Sequence, residues 1–228
     1  PAWAERGVRR YGYHGASHAY IASRLARLMP AGRRVISCHL GGSSSLCAIR
    51  DGQSQAASMG LSPQSGLPQG TRVGDFDPYA IKLMMDRTAR SLDDILAELG
   101  TRAGLAALSG TSGDVRDIEQ AAAAGNDRAR LALDVFAYSA ARGIGSLIPA
   151  IGGLDTLAFT AGIGENSPQM RRRICAFLSW LGIALDEKQN DAGGGDREIS
   201  LATSKIKVLV IQTDEEKMIA HETWTVLQ

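Results

Sequence analysis

The sequence predicts a mixed α/β fold in which one sheet carries helices on both faces. Two apolar, β-prone runs, residues 35–40 and 46–50, are separated by a short glycine-serine segment and are expected to pair antiparallel. Apolar runs at 156–161 and 205–213 follow later and alternate with segments whose apolar residues recur at helical spacing. This alternation is typical of a layered α/β domain, and because no linker divides the chain, residues 1–228 are predicted to form one domain.

Turn and capping residues predict where the elements begin and end. Asp51-Gly52 is a strong signal for a two-residue hairpin turn, because both central positions of that turn need positive φ. Ser17 is expected to cap the first long helix, and Pro30 and Gly32 to end it. Later helix starts carry a capping residue or a proline: Asp77-Pro78, Ser91, Asn126, Ser167-Pro168 and Thr213.

Length, charge and cysteine usage argue against several classes of protein. The formal net charge of +1 over 228 residues gives no electrostatic reason to expect nucleic acid or an anionic membrane as a partner. No consecutive apolar run approaches the roughly 20 residues that span a bilayer, and the N-terminus lacks the apolar stretch of a signal peptide. Cys38, Cys47 and Cys175 match no zinc spacing, so they are expected to be reduced thiols in a cytoplasmic protein.

A glycine-rich region around the first hairpin predicts a phosphate site. Gly41-Gly42 follows the first strand, so backbone N–H groups and serine hydroxyls are expected at one edge of the sheet, where they suit an anion. Arg72 lies between glycines in the segment GTRVGD at 70–75. Small neighbours let the backbone approach a ligand, and a guanidinium offers a planar fork to phosphate or carboxylate oxygens. This region is interpreted as the phosphate end of a nucleotide site.

Two further features admit a structural as well as a functional interpretation. Gly162-x-Gly164 follows a strand and precedes a helix, an arrangement that either binds phosphate or serves tight packing. Ser167 stands where a dinucleotide fingerprint needs glycine or alanine, so an alternative interpretation as a dehydrogenase is weak. His14, which follows a tyrosine and precedes a glycine, is either catalytic or a satisfied structural group.

Acidic and histidine side chains elsewhere carry less information. Glu165 and Glu215 are equally explained as favourable charges near a helix N-terminus. His18, His39 and His221 show no metal-ligand spacing, so zinc is not expected.

Six segments of the chain form a combined pattern that is more specific than any one of them. They are RRYGYHGASH (9–18), VISCHLGGSSSL (35–46), SMGLSPQSGLPQGTRVGDFDP (58–78), LSGTSGDVRDI (108–118), FTAGIGENSPQMRRRI (159–174) and VLVIQTDEEKMIA (208–220). Together and in this order they resemble the acetate kinase family, which has propionate and butyrate kinases as relatives. The resemblance implies the actin-like ATPase (ribonuclease H-like) fold, which sugar kinases and Hsp70-type ATPases share.

The resemblance also implies roles for individual residues. His14 and Arg72 resemble the histidine and the arginine that stabilise the transition state, and Glu215 resembles a glutamate associated with Mg²⁺. Tyr13 and Pro63 match positions that line the pocket for the acyl chain. The residues implied to bind the nucleotide are His39, Gly41, Gly42 and Ser43 along the phosphates, Asp114, Val115 and Arg116 beside the adenosine, and Gly162, Ile163, Gly164, Glu165 and Asn166 in the loop that closes the pocket.

The implied activity is the reversible transfer of phosphate from ATP to the carboxylate of acetate, giving acetyl phosphate and ADP, with Mg²⁺ as the cofactor. A carboxylate is already ionised at neutral pH, so such a step needs no general base; it needs cationic groups that bring two anions together. Family members pair through this part of the chain, so a homodimer is expected, without a nucleic-acid or membrane partner.

Three departures from the family pattern affect these expectations. Tyr13 stands where the family usually has phenylalanine, which leaves acetate and propionate both open as the substrate. Gly41-Gly42-Ser43 replaces the usual Gly-Asn-Gly. The resemblance begins well inside the family's length and the chain starts with Pro1, so the N-terminal domain is expected to be absent. The alternative interpretation is therefore a nucleotide-binding, dimerising fragment without activity of its own.

Overall fold

The computed structural model describes residues 2–30 and 33–228, which are built around one six-stranded sheet. Its strands are β1 (Arg34–Leu40), β2 (Ser44–Arg50), β3 (Gln53–Ala57), β4 (Thr156–Thr160), β5 (Arg197–Glu198) and β6 (Lys207–Val210). The order across the sheet is β3-β2-β1-β4-β6-β5. The β1–β4 and β4–β6 pairs are parallel and the other pairs are antiparallel, which confirms the predicted mixed sheet. Pro1 and Gly32, which the sequence predictions named, lie outside the described residues.

The two faces of β1 carry different side chains, because successive residues of a strand point to opposite sides. Ile36 and Cys38 lie in the larger of two apolar cores, and Val35 lies in the smaller core on the opposite face. Ser37 and His39 alternate with the first pair, so they share the face of Val35, and both are buried. That face of the sheet therefore becomes polar toward the end of β1.

Helices cover both faces of the sheet, as predicted. They are α1 (Ala2–Glu5), α2 (Gly15–Leu28), α3 (Tyr79–Thr88), α4 (Leu92–Thr101), α5 (Gly104–Ser109), α6 (Val115–Ala123), α7 (Asp127–Ile151), α8 (Ala161–Asn166), α9 (Pro168–Phe177), α10 (Glu187–Asp191) and α11 (Glu215–Val226), with a 3₁₀ turn at Ser179–Leu181. Helices α5, α6, α7 and α9 contribute to the larger core, and α2 contributes to the smaller one. Helix α11 contacts α2.

The long helix α7 runs through the larger core. Its buried side includes Leu133, Phe136 and Ile144, and it contacts β1, β2 and β3. Among the described residues α7 is also the one helix long and apolar enough to cross a membrane by length and composition, a criterion that core helices of globular proteins meet as well. The sheet covers the buried side of this helix.

Local signals predicted several boundaries correctly. Asp51 and Gly52 have φ values of 51° and 81°, as the two-residue hairpin turn between β2 and β3 requires. Ser91, Asn126 and Ser167 each accept a hydrogen bond from a backbone N–H of the following helix. These caps satisfy donors that have no partner inside a helix.

Other helix starts were predicted incorrectly. Helix α2 begins at Gly15, and Ser17 does not cap it because its buried hydroxyl binds other side chains. Helix α11 is capped by Asp214, while the Thr213 hydroxyl bonds elsewhere. Pro78 stands at the cap of α3 and not within its first turn.

The cysteines Cys38, Cys47 and Cys175 are buried and free. Burial raises the pKa of Cys175 to about 12, so this group is a thiol at neutral pH. Free, buried thiols agree with the prediction of reduced cysteines.

A pair of glycines in α7 tests how closely this helix approaches the sheet. A Cβ added at Gly143 would lie 2.6 Å from Leu46 Cδ1, which is fully buried, whereas a Cβ at Gly145 would meet nothing within 4 Å. We expect Gly143→Ala to lower the free energy of unfolding by about 1–3 kcal/mol through overpacking. Gly145→Ala should raise it by about 0.5–1 kcal/mol, because alanine loses less backbone entropy on folding. Urea unfolding of both variants measures the difference; an equal gain in both would contradict the close approach.

Candidate functional site

A cavity of about 630 Å³ opens where β1 and β4 end. Eight of the twelve residues predicted to bind the nucleotide line it: Gly41, Gly42, Asp114, Val115, Arg116, Gly162, Ile163 and Asn166. The fold therefore brings together three segments that are far apart in the sequence. Gly70 and Thr71, from the segment interpreted as the phosphate end of the site, also line the cavity, together with four residues that were given no ligand role: Ser112, Gly113, Glu119 and Ser167.

Glycine keeps this cavity open at two positions. A Cβ added at Gly42 or Gly162 would meet no atom within 4 Å, and both residues line the cavity. A larger side chain at either position would occupy space that is now free for a ligand. The sequence prediction that small residues allow close approach to the backbone agrees with this arrangement.

The other four predicted nucleotide-binding residues do not line the cavity. Ser43 lies just before β2, and His39 is buried in β1. Gly164 packs against the backbone of Phe159, where an added Cβ would lie 3.3 Å from the carbonyl carbon. The Glu165 carboxylate accepts hydrogen bonds from backbone N–H groups. Their roles toward a nucleotide stay predictions.

Asp114 and Arg116 form one wall of the cavity at the start of α6. Asp114 caps this helix by accepting a hydrogen bond from the Arg116 backbone N–H at 2.9 Å, and it also pairs with the Arg116 guanidinium at 2.6 Å. These hydrogen bonds lower the pKa of Asp114, which is therefore ionised at neutral pH. The pair presents a charged edge to the cavity.

Arg72 is held beside the glycine turn that follows β1. Its guanidinium donates hydrogen bonds to Ser43 Oγ at 3.2 Å and to Gln69 Oε1 at 3.0 Å. Gln69 is only 1% exposed, so this anchor is buried. Because Gly70 and Thr71 line the cavity, the arginine lies next to its glycine-rich edge.

The loop that carries Arg72 is fixed against the start of α5. Gly104 has a φ of 62°, and an added Cβ would lie 2.1 Å from the Gln69 carbonyl oxygen. Backbone N–H groups of Leu105 and Ala106 donate to the carbonyls of Gln69 and Gly70 at 2.9 and 2.8 Å. Only glycine fits this contact, so the position of the arginine is set by the fold.

His14 sits at the N-terminus of α2 in a left-handed backbone conformation, with a φ of 58°. Such a conformation is uncommon for a residue other than glycine, and it often marks functional sites. Its ring stacks on that of His39 with centroids 3.9 Å apart and planes 12° apart. Its Nδ1 lies 2.8 Å from Ser45 Oγ.

Behind His14 lies a buried group of histidines and serines between α2 and the sheet. His18 Nδ1 is 2.9 Å from Ser37 Oγ, and His18 Nε2 is 2.8 Å from Ser45 Oγ. His39 Nδ1 is 2.8 Å from Ser17 Oγ. We refer to the following residues as the histidine cluster: His14, His18, His39, Ser17, Ser37 and Ser45.

Burial keeps the imidazoles of the cluster neutral. It lowers the pKa of His18 to about 3, with smaller contributions from His39 and His14. Burial and the neighbouring His14 lower the pKa of His39 to about 3. The pKa of His14 is lowered by its partial burial and by the positive charge of Arg72. The two predicted catalytic residues therefore lie close enough to interact electrostatically.

The residues predicted to line the acyl pocket lie near these two groups. The Tyr13 hydroxyl donates to the Leu61 carbonyl at 2.9 Å. The Pro63 carbonyl accepts a hydrogen bond of 2.7 Å from Gln69 Nε2, and Gln69 also holds Arg72. Tyr13 lines a second cavity of about 420 Å³ between α2 and the β2–β3 hairpin, and Pro63 does not.

Glu165 connects the cavity to the histidine cluster. Its Oε1 accepts hydrogen bonds from the backbone N–H groups of Ala161 at 2.8 Å and Thr213 at 3.1 Å. The Thr213 hydroxyl in turn lies 2.9 Å from Ser17 Oγ. Helix α8 and the segment after β6 are thus joined by one carboxylate.

Arg171 is a buried residue that the sequence interpretation did not single out. It is 1% exposed and donates to the carbonyls of Gly164 and Glu165 at 2.9 Å each, and to Asn190 Oδ1 at 2.8 Å. Burial lowers the pKa of Arg171 to about 10, which leaves it charged at neutral pH. The only sequence signal was its place three residues before Ile174, on the apolar side of α9.

Glu215 opens α11 and is half-buried. Among residues 2–30 and 33–228, no group of three or more His, Cys, Asp or Glu side chains is placed to hold a metal ion. Mg²⁺ seldom needs such a group, because it keeps several waters and binds one or two carboxylates together with substrate phosphates. Glu215 is not among the residues that line the cavity, and its role toward a metal stays a prediction.

Parallel strands that end at a ligand-sized cavity, within a sheet covered on both faces, are the architecture of α/β ligand-binding proteins. The sequence profile of the Acetokinase family matches residues 2–221, and the chain belongs to this family. This confirms the resemblance on which the site predictions rest and sets aside the interpretation as a dehydrogenase.

Known proteins are similar to this chain in sequence and in structure. An acetate kinase from Heliobacterium modesticaldum is 44% identical over 230 residues, which cover 99% of this chain and 57% of the relative. The crystal structure of Porphyromonas gingivalis acetate kinase superposes with a TM-score of 0.94 at 37% identity, covering 100% of this chain and 58% of that chain. A propionate kinase from Francisella tularensis gives 0.90 at 36% identity, covering 96% and 56%. These structures confirm the actin-like ATPase-type α/β fold, and the chain spans 57% of the length of the Heliobacterium relative.

The histidine cluster predicts a pH-dependent stability. The unfolded chain binds protons at His18 and His39 below about pH 6.5, whereas the folded chain does not until about pH 3, so acid favours unfolding. Between pH 7 and pH 5 each histidine should lower the free energy of unfolding by about 2 kcal/mol. Urea unfolding at both pH values measures the loss.

Two variants give the controls for this prediction. His39→Asn keeps a group that can bond to Ser17, and it should show a pH-dependent loss smaller by about 2 kcal/mol. His221→Gln changes an exposed side chain of α11 and should behave as the parent chain. The same loss in all three proteins would contradict the assignment to buried neutral histidines.

Proposed function

We propose that this chain binds ATP and ADP in the glycine-lined cavity and contributes His14 and Arg72 to phosphoryl transfer between ATP and acetate. The observation that carries the proposal is the convergence of four separate segments on one cavity: Gly41-Gly42, Gly70-Thr71, Asp114 to Arg116, and the loop of α8. Arg72 lies at the edge that the first two segments form, and His14 lies close to Arg72. The family relationship supports acetate kinase as the activity.

The reaction needs little covalent chemistry from the protein. A carboxylate oxygen of acetate attacks the γ-phosphorus of ATP, the bond from that phosphorus to the β–γ bridging oxygen breaks, and ADP leaves with the electron pair. The obstacle is the approach of one anion to another, so positioning and charge neutralisation dominate the rate. The Arg72 guanidinium supplies positive charge, and the neutral His14 ring supplies a hydrogen-bond donor to the transferring group.

Mg²⁺ would neutralise charge on the nucleotide phosphates when it is bound. We assign Glu215 as the carboxylate of this chain that would help to hold it, in agreement with the resemblance. The supporting contact is two residues away, where the Thr213 backbone N–H donates to the Glu165 carboxylate of α8.

The acyl substrate is proposed to be acetate, with propionate as the alternative. Tyr13 and Pro63 lie near His14 and Arg72, where the methyl or ethyl group of the substrate would be placed. The similar solved structures include both an acetate kinase and a propionate kinase. Competition between the two carboxylates in one assay distinguishes them.

The remaining partners are proposed from the resemblance: a homodimer in the cytoplasm, without nucleic acid or a membrane. Because the chain spans 57% of the Heliobacterium relative, activity is proposed for a protein of that full length that contains it. The 228-residue chain alone is expected to bind nucleotide with little or no turnover. An acetate-dependent hydroxamate assay on this chain, beside sedimentation for the dimer, tests both statements.

The cavity proposal predicts an effect of filling it. Gly162→Leu places a side chain in open space, so it should leave the fold intact and weaken ADP binding about tenfold or more by occupying the site. Isothermal titration calorimetry of the 228-residue chain measures the affinity, and Gly145→Ala in α7 serves as the control that should bind normally. Equal affinity for both variants would contradict nucleotide binding in this cavity.

The role of Arg72 predicts a loss of turnover without a loss of nucleotide. In a protein of the relatives' full length, Arg72→Ala should lower kcat by about 10³-fold or more, as for other arginines of phosphoryl transfer. ADP affinity should change little. Arg87→Ala removes an exposed arginine of α3 and is the matched control. Near-normal kcat in Arg72→Ala would refute the assignment.

A further inference from the structure

We propose that Ser37, His18 and Ser45 form a directed hydrogen-bond chain that holds His14 in the one neutral tautomer able to donate to a phosphoryl oxygen. The inference rests on the proposed function for the identity of the ligand. It assigns His18 and Ser45 as positioning residues that act through His14 and do not touch the substrate.

The fold brings these four side chains together from two directions. His14 and His18 are four residues apart at the start of α2, so they lie on the same side of the helix. Ser37 lies in β1 and Ser45 in β2, and Ser45 is paired directly with His39 across the two strands. The contacts between the helix and the sheet are 2.8, 2.8 and 2.9 Å long.

A bound ligand determines which partner donates in the hydrogen bond between His14 and Ser45. Nδ1 of His14 is engaged by Ser45, so Nε2 is the ring nitrogen available to a ligand. A phosphoryl oxygen can only accept a hydrogen bond, and a neutral imidazole has one donor nitrogen and one acceptor nitrogen. Nε2 must therefore carry the proton, and Nδ1 must accept a hydrogen bond from the Ser45 hydroxyl.

The remaining directions follow from the single proton of each hydroxyl. Ser45 gives its proton to His14, so its second contact, with Nε2 of His18, requires that His18 donates. Nδ1 of His18 is then an acceptor, and the Ser37 hydroxyl donates to it. The order is Ser37 to His18, His18 to Ser45, and Ser45 to His14.

Burial makes this order costly to reverse at any single link. Ser37 and Ser45 are fully buried and His18 is 5% exposed, so bulk water does not replace a lost partner. One reversed link would set two donors or two acceptors against each other in a site of low dielectric. The lowered pKa of His14 favours the neutral form on which the argument depends.

The tautomers are measured directly by NMR on the 228-residue chain with ¹⁵N-labelled histidine, through two-bond proton–nitrogen correlations at pH 7. We expect His14 and His18 both to be protonated at Nε2 only, with exposed His221 as the reference. His18 protonated at Nδ1 would overturn the proposal. The spectra are recorded without ligand and again with inorganic phosphate, whose oxygens accept hydrogen bonds from Nε2 of His14, and neither spectrum depends on the kinase activity.

Variants of His18 and Ser45 show whether these residues position His14 or only stabilise the fold. His18→Leu and Ser45→Ala should shift the tautomer ratio of His14 by roughly 5- to 10-fold toward Nδ1–H. His18→Gln keeps a donor for Ser45 and should preserve the ratio of the parent chain. An unchanged ratio in His18→Leu would overturn the proposal, and if Ser45→Ala fails to fold, the two His18 variants still decide.

Turnover gives the second readout in a protein of the relatives' full length. His18→Leu should lower kcat about 5- to 10-fold, in step with the tautomer ratio, without changing the KM for ATP, and His18→Gln should restore most of it. Equal loss in both variants would indicate a structural role and overturn the proposal. If the parent protein shows the expected tautomers but no acetate turnover, the proposed function is refuted, and the hydrogen-bond chain from Ser37 to His14 is still supported.

Discussion

The parallel pairing of β1, β4 and β6 is the constraint on which the site depends. Parallel strands end at the same edge of a sheet, so the segments that follow them must meet. In this chain those segments are the glycine turn after β1, helix α8 after β4, and the residues that lead from β6 into α11. The register, in which His39 stands opposite Thr160, aligns the first two to within a residue. A slip in this pairing would separate the glycines of the cavity and also displace the histidine cluster.

The two faces of the sheet are packed by different kinds of side chain. One face carries the larger apolar core where α7 covers it, and stability there depends on close packing. The other face carries imidazoles and hydroxyls under α2, and these groups have found partners within the protein. Buried polar networks of this kind specify one arrangement, because each group that loses its partner is penalised. The position of His14 therefore depends on a network of groups that are mostly buried between α2 and the sheet.

Much of the fold was predictable from local sequence patterns. Which helix face packs on which strand was harder to predict. The alternation of strands and helices, the Asp51-Gly52 turn and the glycines of the cavity are local signals, and they predicted the sheet and several of the segments that line the cavity. Ser17 was misassigned as a cap because its burial depends on which face α2 covers. His18 showed no metal spacing, and its contacts come from strands distant in sequence. Arg171 was not singled out, because its partners include backbone carbonyls of α8 that only the fold brings to it.

Glu165 connects the start of α8 to the segment that leads into α11. A single carboxylate oxygen binds the first residue of α8 and the segment that precedes α11. Helix α8 borders the cavity, and α11 packs on α2. One side chain therefore joins the helix that lines the cavity to the segment that leads into the last helix of the chain.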